Sequence, residues 1–281
     1  MNNRSELPQP GADPFTERTP RVIAARRLTR RAEREKAGRF LAEGANAVGG
    51  ALTFEQHRRG FVHHLFVTPR AEHTHAELVS RAHELGVPIS PITERAAAAL
   101  SETVTPQGIV AVCDLLDRPL DDLRTGRGLV AVLVDVADPG NAGTVIRVAD
   151  AAGADAVILA GDSVDPHNGK CVRASAGSLF HLPIVRADDV ASVLCACRDA
   201  GLRLLAAHGY AETELDSLDL APATAWVFGN EAHGLPAEVL REVDSAVRIP
   251  IYGAAESLNL ATAAAVCLYA SAMARPRSSG G

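Results

Sequence analysis

Aromatic side chains are scarce in this chain: one tryptophan, three tyrosines and seven phenylalanines make up 4% of 281 residues. Stacking platforms for single-stranded nucleic acid are built from such rings, so that binding mode is disfavoured. No apolar run approaches the roughly 20 residues that cross a bilayer. The polar, Pro-rich N-terminus carries no apolar secretory core, so no membrane partner is expected and the expected location is the cytoplasm. Cysteine is sparse and odd in number: Cys113, Cys171, Cys195, Cys197 and Cys267 show no paired metal-ligand spacing and read as reduced thiols. The dinucleotide fingerprint G-x-G-x-x-G is missing. So are a His–carboxylate–nucleophile order, a metal-ligand cluster and a kinase-type lysine motif, which removes hydrolytic and metal-assisted chemistry from the expectation.

What is present is a globular balance of 47% hydrophobic and 22% charged residues, with length for one large domain or two ordinary ones. The formal charge of −6 is unevenly spread. Ten Lys/Arg face five Asp/Glu in the first 39 residues, and eight of the basic ones lie in Arg21 to Arg39 (RVIAARRLTRRAEREKAGR). A basic arm on an acidic body suits a polyanion, because phosphate neutralisation supplies much of nucleic-acid affinity. Arg26, Arg27, Arg30, Arg31 and Arg39 are the candidate RNA contacts. The plain alternative is a solvated amphipathic helix with Val22, Ala25, Leu28 and Ala32 on one face.

Along the chain, residues 1–20 carry four prolines among polar residues and read as a disordered tail. A helix is expected over Arg21–Ala37. Phe40 to Gly44 leads into an amphipathic segment, Ala45–Gln56. A strand (Val62–Val67), a helix (His75–Leu85), a strand (Val87–Ile92), a short helix (Glu94–Leu100) and a strand (Gly108–Cys113) follow. This alternation implies a small α/β layer structure. The proposed division is a basic tail and helix over 1–35, a domain over 36–114, a charged linker over 115–128 and a second domain over 129–281. In the second, strands are expected at Leu129–Val136, Ala156–Leu159, Pro183–Val185, Arg203–Ala207, Ala225–Phe228 and Val247–Ile251. The helices are expected at Ala142–Ala152, Asp188–Ala200, Pro236–Val243 and Ser257–Ala274. Continuous apolar strands such as Val130 to Val134 belong to parallel sheets with helices on both faces.

Three segments of the second domain repeat one plan of apolar strand, polar Gly/Asn turn and helix. They are LVAVLVDVADPGNAGTVIRVADAAGA (129–154), ATAWVFGNEAHGLPAEVLREV (223–243) and VRIPIYGAAESLNLATAAAVCLY (247–269). Such turns converge at one edge of a parallel sheet, where ligands of these folds bind. In the first turn Gly140 and Gly143 permit close backbone approach, Asn141 is either a cap or a ligand contact, and Arg147 can reach back toward the turn or stay solvated. In the second, Pro236 suits a first helical position, and Glu231 either orients a cation or complements the helix N-terminus. In the third, Ser257 is the expected N-cap and Asn259 follows it. The segment Asn168 to Ser178, with Arg173, Ser175 and Ser178, is either a phosphate contact or a capped helix start.

DPGNAGTVIRVADAAGA, VFGNEAHGLP and RIPIYGAAESLNLATAAAVCLY resemble, in order, the three motifs of the SpoU (TrmH) family of RNA ribose 2′-O-methyltransferases in the SPOUT superfamily. The first domain is similar to that family's substrate-binding domain through GRFLAEG (38–44) and TPQGIVAV (105–112), so the resemblance spans roughly 36–273. It implies an α/β, trefoil-knotted, mainly parallel sheet with helices on both faces, beside a smaller N-terminal α/β domain. It implies S-adenosylmethionine as methyl donor, no metal, an RNA substrate and a homodimer formed through the catalytic domain. By motif position it assigns Gly229, Asn230, Ile249, Ile251, Gly253 and Leu258 to the cofactor and Arg147, Asn141, Glu231, Ser257 and Asn259 to the reaction. Arg147 would fix the adjoining phosphate and stabilise alkoxide charge, since arginine is a poor base; Glu231 would orient Arg147. RNA recognition would fall to residues 21–113 and Arg173.

The two-domain form resembles the ribosomal-RNA branch, so 23S ribosomal RNA is the expected substrate. Transfer RNA is one alternative, and a noncatalytic RNA-binding or assembly protein of the same fold is another. A nucleotide-dependent enzyme on a Rossmann-like sheet is opposed by the missing glycine fingerprint and the Arg-rich arm.

Overall fold

The computed structural model describes residues 13–123, 126 and 128–275. They divide into two compact units, unit 1 holding 13–115 with 167–180 and unit 2 holding 116–166 with 181–275. The 167–180 segment of the expected second domain (129–281) therefore belongs to the first unit. Arg124, Thr125 and Arg127 of the expected linker, and residues 1–12 of the expected tail, lie outside the described residues.

Unit 1 begins with ordered chain: the Phe15 N–H donates to the Pro91 carbonyl at 2.8 Å and its own carbonyl accepts from the Thr93 N–H at 2.9 Å. The tail expectation thus fails from residue 13 onward. The basic arm is two helices, α1 (Pro20–Arg27) and α2 (Arg31–Ala37), rather than one. The reason is Arg34, whose buried guanidinium donates to the carbonyls of Leu28 and Thr29 and fixes the corner. Then come β1 (Arg39–Glu43), α3 (Ala45–His57), β2 (Val62–Val67), α4 (Pro69–Thr74), α5 (Ala76–Glu84), β3 (Ile89–Pro91), α6 (Glu94–Leu100) and β4 (Ile109–Asp114). The sheet order is β1-β4-β2-β3, with only β2 and β3 parallel.

β1 was unexpected, because Phe40 to Glu43 are all buried and show no alternation. Its end meets the second half of the unit's signature: the Gly44 N–H donates to the Ile109 carbonyl at 3.0 Å, and the Gln107 side chain accepts from the Ala45 N–H at 2.8 Å, standing in for a cap at α3. Val22 and Ala25 of α1 and Leu28 just after it pack with Ala96, Ala97 and Leu100 of α6 on Phe66, Val110 and Val112 of the sheet.

Unit 2 contributes β5 (Asp117–Arg118), β6 (Leu129–Val134), α7 (Pro139–Ala151) and β7 (Ala156–Ala160). After α8 (Gly169–Ala174), which belongs to unit 1, it continues with β8 (Ile184–Ala187), α9 (Val190–Asp199), β9 (Arg203–Ala207), β10 (Thr213–Glu214), β11 (Thr224–Phe228), α10 (Ala237–Glu242), β12 (Ser245–Arg248) and α11 (Leu260–Ala274). Among the described residues its strands run β10-β12-β9-β11-β6-β7-β8-β5, every neighbouring pair parallel. Such a sheet must be covered twice, and it is. Val130, Val132 and Val134 pack under α9 and α10. On the other face α11 lies on β11, β6 and α7, and the buried Trp226 indole donates to Ser271 of α11 at 2.8 Å.

Candidate active site

The turns after β6, β11 and β12 meet at the C-terminal edge of this sheet. The first holds Asp138 as N-cap of α7, its carboxylate accepting from the Asn141 N–H at 2.8 Å, with Pro139 in the first helical turn. Asp135, at the strand end, sits at φ 53°, a strained conformation for a residue with a side chain. It is clamped from both sides: Asn230 donates to its carbonyl at 2.7 Å, and its carboxylate accepts from the Asp162 N–H at 2.8 Å.

The second turn is a tight hairpin closed by Asn230 N to Gly234 O (3.0 Å) and Gly234 N to Asn230 O (2.9 Å). Glu231 crosses from it to the first turn, accepting from the Ala137 and Asp138 N–H groups at 3.1 Å each and from the Asn141 amide at 3.0 Å. Burial pushes its carboxyl up, but the bonds from Asn141 and from backbone N–H groups prevail and hold it below its ordinary value.

The third turn joins the same chain of bonds. Asn259 donates to the Asn141 side-chain oxygen at 3.0 Å while its own oxygen accepts from Ala261 and Thr262 N–H. Asn259, not Ser257, is thus the N-cap of α11, which begins at Leu260. Likewise Pro236 is the residue before α10 rather than its first. β12 ends at Arg248, short of the expected Ile251, because Pro250 has no N–H to give a ladder. Ile249 and the exposed Ile251 thus lie beyond the strand end.

They line a cavity of about 400 Å³ together with Gly229, Asn230, Leu258, Ser257, Asn141, Glu231 and Asn259, a volume in the range of about 300–1,000 Å³ typical of small-molecule sites. Gly253 is exposed and is not among the lining residues. Arg147 is also outside them. It is exposed on α7 with no hydrogen bond or ion pair among the described residues, and Glu231 holds backbone and Asn141 instead. Six helical residues turn roughly 240°, so Arg147 faces about 120° away from Asn141.

His208 and Glu256 line the cavity as well. His208 directly follows β9, whose end lies on this same edge, and reading all strand ends as one edge would have found it. The described lining carries Glu231 and Glu256 but no lysine or arginine. With apolar walls from Phe228, Val247, Ile249 and Leu258, this fits a cofactor that combines an aromatic base with a sulfonium and an ammonium group, as S-adenosylmethionine does.

Of the expected RNA contacts, Arg26, Arg27, Arg30, Arg31 and Arg39 are exposed. Arg31 pairs with Glu35 at 2.9 Å, and Arg173 pairs with the buried Glu43 at 2.9 Å. The start of α8 is capped by Asn168, which accepts from the Lys170 N–H.

Residues 128–269, which contain all three turns, match the model of the SpoU rRNA Methylase family. The chain belongs to the SpoU rRNA methylase family. Residues 19–111 match the MRM3-like substrate binding domain. The chain is 36% identical over 245 residues, 87% of its length and 92% of the relative's, to the Bacillus subtilis (strain 168) 23S rRNA (guanosine(2553)-2′-O)-methyltransferase RlmP. Its fold is similar to the AdoMet-bound rRNA methyltransferase from Sinorhizobium meliloti, with TM-score 0.79, 32% identity and coverage of 92% and 97% of the two chains. It is similar also to the SpoU methyltransferase AviRb from Streptomyces viridochromogenes in complex with AdoMet, with TM-score 0.77, 30% identity and coverage of 90% and 98%. These SPOUT methyltransferases share the mainly parallel sheet and smaller N-terminal domain.

Proposed function

We propose that this chain transfers the methyl group of S-adenosylmethionine to a ribose 2′-hydroxyl of 23S ribosomal RNA, as a cytoplasmic homodimer. The observation that carries the reading is the cavity at the strand ends, walled by the three family turns and tied by one Asn259–Asn141–Glu231 chain of hydrogen bonds. The bound cofactor supplies an electrophilic methyl on a sulfonium. Gly229, Asn230, Ile249, Ile251 and Leu258 hold it, with Gly253 in the loop that covers it. Asn141, Glu231, Ser257 and Asn259 keep the three turns in register so that methyl and hydroxyl can align.

Arg147 acts from outside the cavity, on the phosphate beside the target ribose, and stabilises charge as the hydroxyl loses its proton. The knot is the tuck of residues 249–259, which carry the chain from β12 into α11, the helix that packs on α7. A second copy is expected on α11, where Val266, Tyr269 and Met273 form an exposed stripe at near-heptad spacing. The relatives named for 23S rRNA support the substrate over transfer RNA.

Incubation with labelled S-adenosylmethionine and either RNA, followed by mapping of the modified ribose, tests the reading. Label in 23S ribosomal RNA at a 2′-oxygen is expected, and none in either RNA by folded protein refutes it. Arg147→Lys should cut turnover strongly while leaving cofactor binding intact, and normal turnover would refute both its roles.

A further inference from the structure

Unit 1 holds a second concavity, of about 320 Å³, between α1 and the sheet. Its floor is apolar, from Phe66 of β2 and Val112 of β4, and one wall is Ala24 of α1. Arg21, Arg39, His63 and His64 ring it. Arg21 and Arg39 are exposed and form no ion pair among the described residues. The Asp114 carboxylate is taken by His63 Nε2 at 2.5 Å. His64 Nε2 is bonded to the Ser90 hydroxyl at 2.9 Å, and its ring lies 4.6 Å from that of Phe66. Burial and the Arg21 guanidinium push the His64 imidazole down to about 4, so it meets a ligand as a neutral ring. Arg26 and Arg27 of α1, with Arg30 just after it, line a further hollow, making this stretch a cationic ridge.

An apolar floor with a neutral imidazole beside it suits a nucleobase, and guanidinium groups at the rim suit phosphates. We propose that this pocket takes up one unstacked nucleotide of the RNA substrate, its base against the half-buried His64 ring above the buried Phe66 and Val112, and its flanking phosphates on Arg21 and Arg39. This rests on the RNA-methylating reading above. It agrees with the general rule that sequence-specific RNA recognition targets loops whose bases are splayed out. The density of arginine on α1 favours RNA over a protein partner, for which such a ridge would need a matching acidic face.

The test is Ala24→Trp, which plugs the pocket from an exposed helix position and leaves every charge in place. Affinity is read by fluorescence anisotropy at two salt concentrations, for a 23S rRNA hairpin with an unpaired loop and for a fully paired RNA duplex. Calorimetry with S-adenosylmethionine reports unit 2 independently. Ala24→Trp should weaken hairpin binding roughly tenfold or more, the scale of one lost stacked base, with duplex and cofactor affinities at the wild-type level. Arg21→Ala and Arg39→Ala should each lower the salt slope by about one. Should the tryptophan variant not fold, Ala24→Met is a smaller plug for the same measurement. Hairpin affinity unchanged by the plug, or an equal loss for hairpin and duplex, overturns the pocket and leaves the methyltransferase reading standing. Wild-type protein that binds cofactor but neither binds nor methylates RNA overturns both.

Discussion

Gly229→Ala is the sharpest probe of the site. A Cβ on Gly229 would lie 2.3 Å from the Gly234 carbonyl carbon, 2.4 Å from its oxygen and 2.5 Å from the Leu235 nitrogen. All three are backbone atoms, so no side chain can rotate away. Relief to 3.0 Å needs a shift of about 0.7 Å in a hairpin held by two bonds between Asn230 and Gly234. That shift would carry Asn230 off the Asp135 carbonyl and Glu231 off the Ala137 and Asp138 N–H groups. Overpacking of this kind is worth about 2 kcal/mol. At roughly 2–4 °C per kcal/mol for a domain of this size, the melting temperature should fall by roughly 4–8 °C. Because Gly229 also lines the cavity, S-adenosylmethionine affinity by calorimetry should drop at least about tenfold, or 1.4 kcal/mol.

Gly234→Ala is the control. Its φ is +69° but nothing lies within 4 Å of an added Cβ. It should lose only about 1 kcal/mol for the left-handed backbone. A Gly229→Ala protein that melts and binds cofactor like the wild type would refute the account of the hairpin as a clamp.

Asn259→Ala should destabilise by about 1 kcal/mol in chemical denaturation, as loss of an N-cap does, whereas Ser257→Ala should leave stability unchanged; the reverse order would restore Ser257 as the cap. Glu231 is held below its ordinary value of 4.5 in the folded protein, so its contribution is complete above that pH and is lost as pH falls through the lowered folded value. Glu231→Gln should therefore show a shallower loss of melting temperature below pH 4.5 than the wild type, and superimposable acid limbs would contradict this. Trp226→Phe leaves the buried Ser271 hydroxyl without its indole donor and should lower unfolding free energy by about 1–3 kcal/mol in urea titrations, with cofactor affinity little changed.

Much of this protein was legible from its residues because local physics set it. The runs Val62–Val67 and Arg203–Ala207 and the Glu94–Leu100 helix fall where period and flanking breakers place them. A fully apolar Val130–Val134 could only be a strand covered on both faces, and it is. The three turns announced themselves as one repeated plan. β1 was hidden, since a short strand buried on both faces has no alternation, and its partner β4 lies some seventy residues away in sequence. The break between α1 and α2 was hidden for a related reason: Arg34 reads as one more surface cation until its guanidinium is seen buried against two carbonyls.

At the site, the chain itself determined which residue types gather at the sheet edge, because strand–turn–helix order fixes which turns share an edge. Only the tertiary structure decided how they are wired. Asn259 rather than Ser257 caps α11, Glu231 bonds Asn141 and the first turn rather than Arg147, and Arg173 pairs with Glu43. A hydrogen bond is made at a few ångströms and at one angle, and that geometry arises when elements distant in sequence pack; spacing along the chain cannot express it.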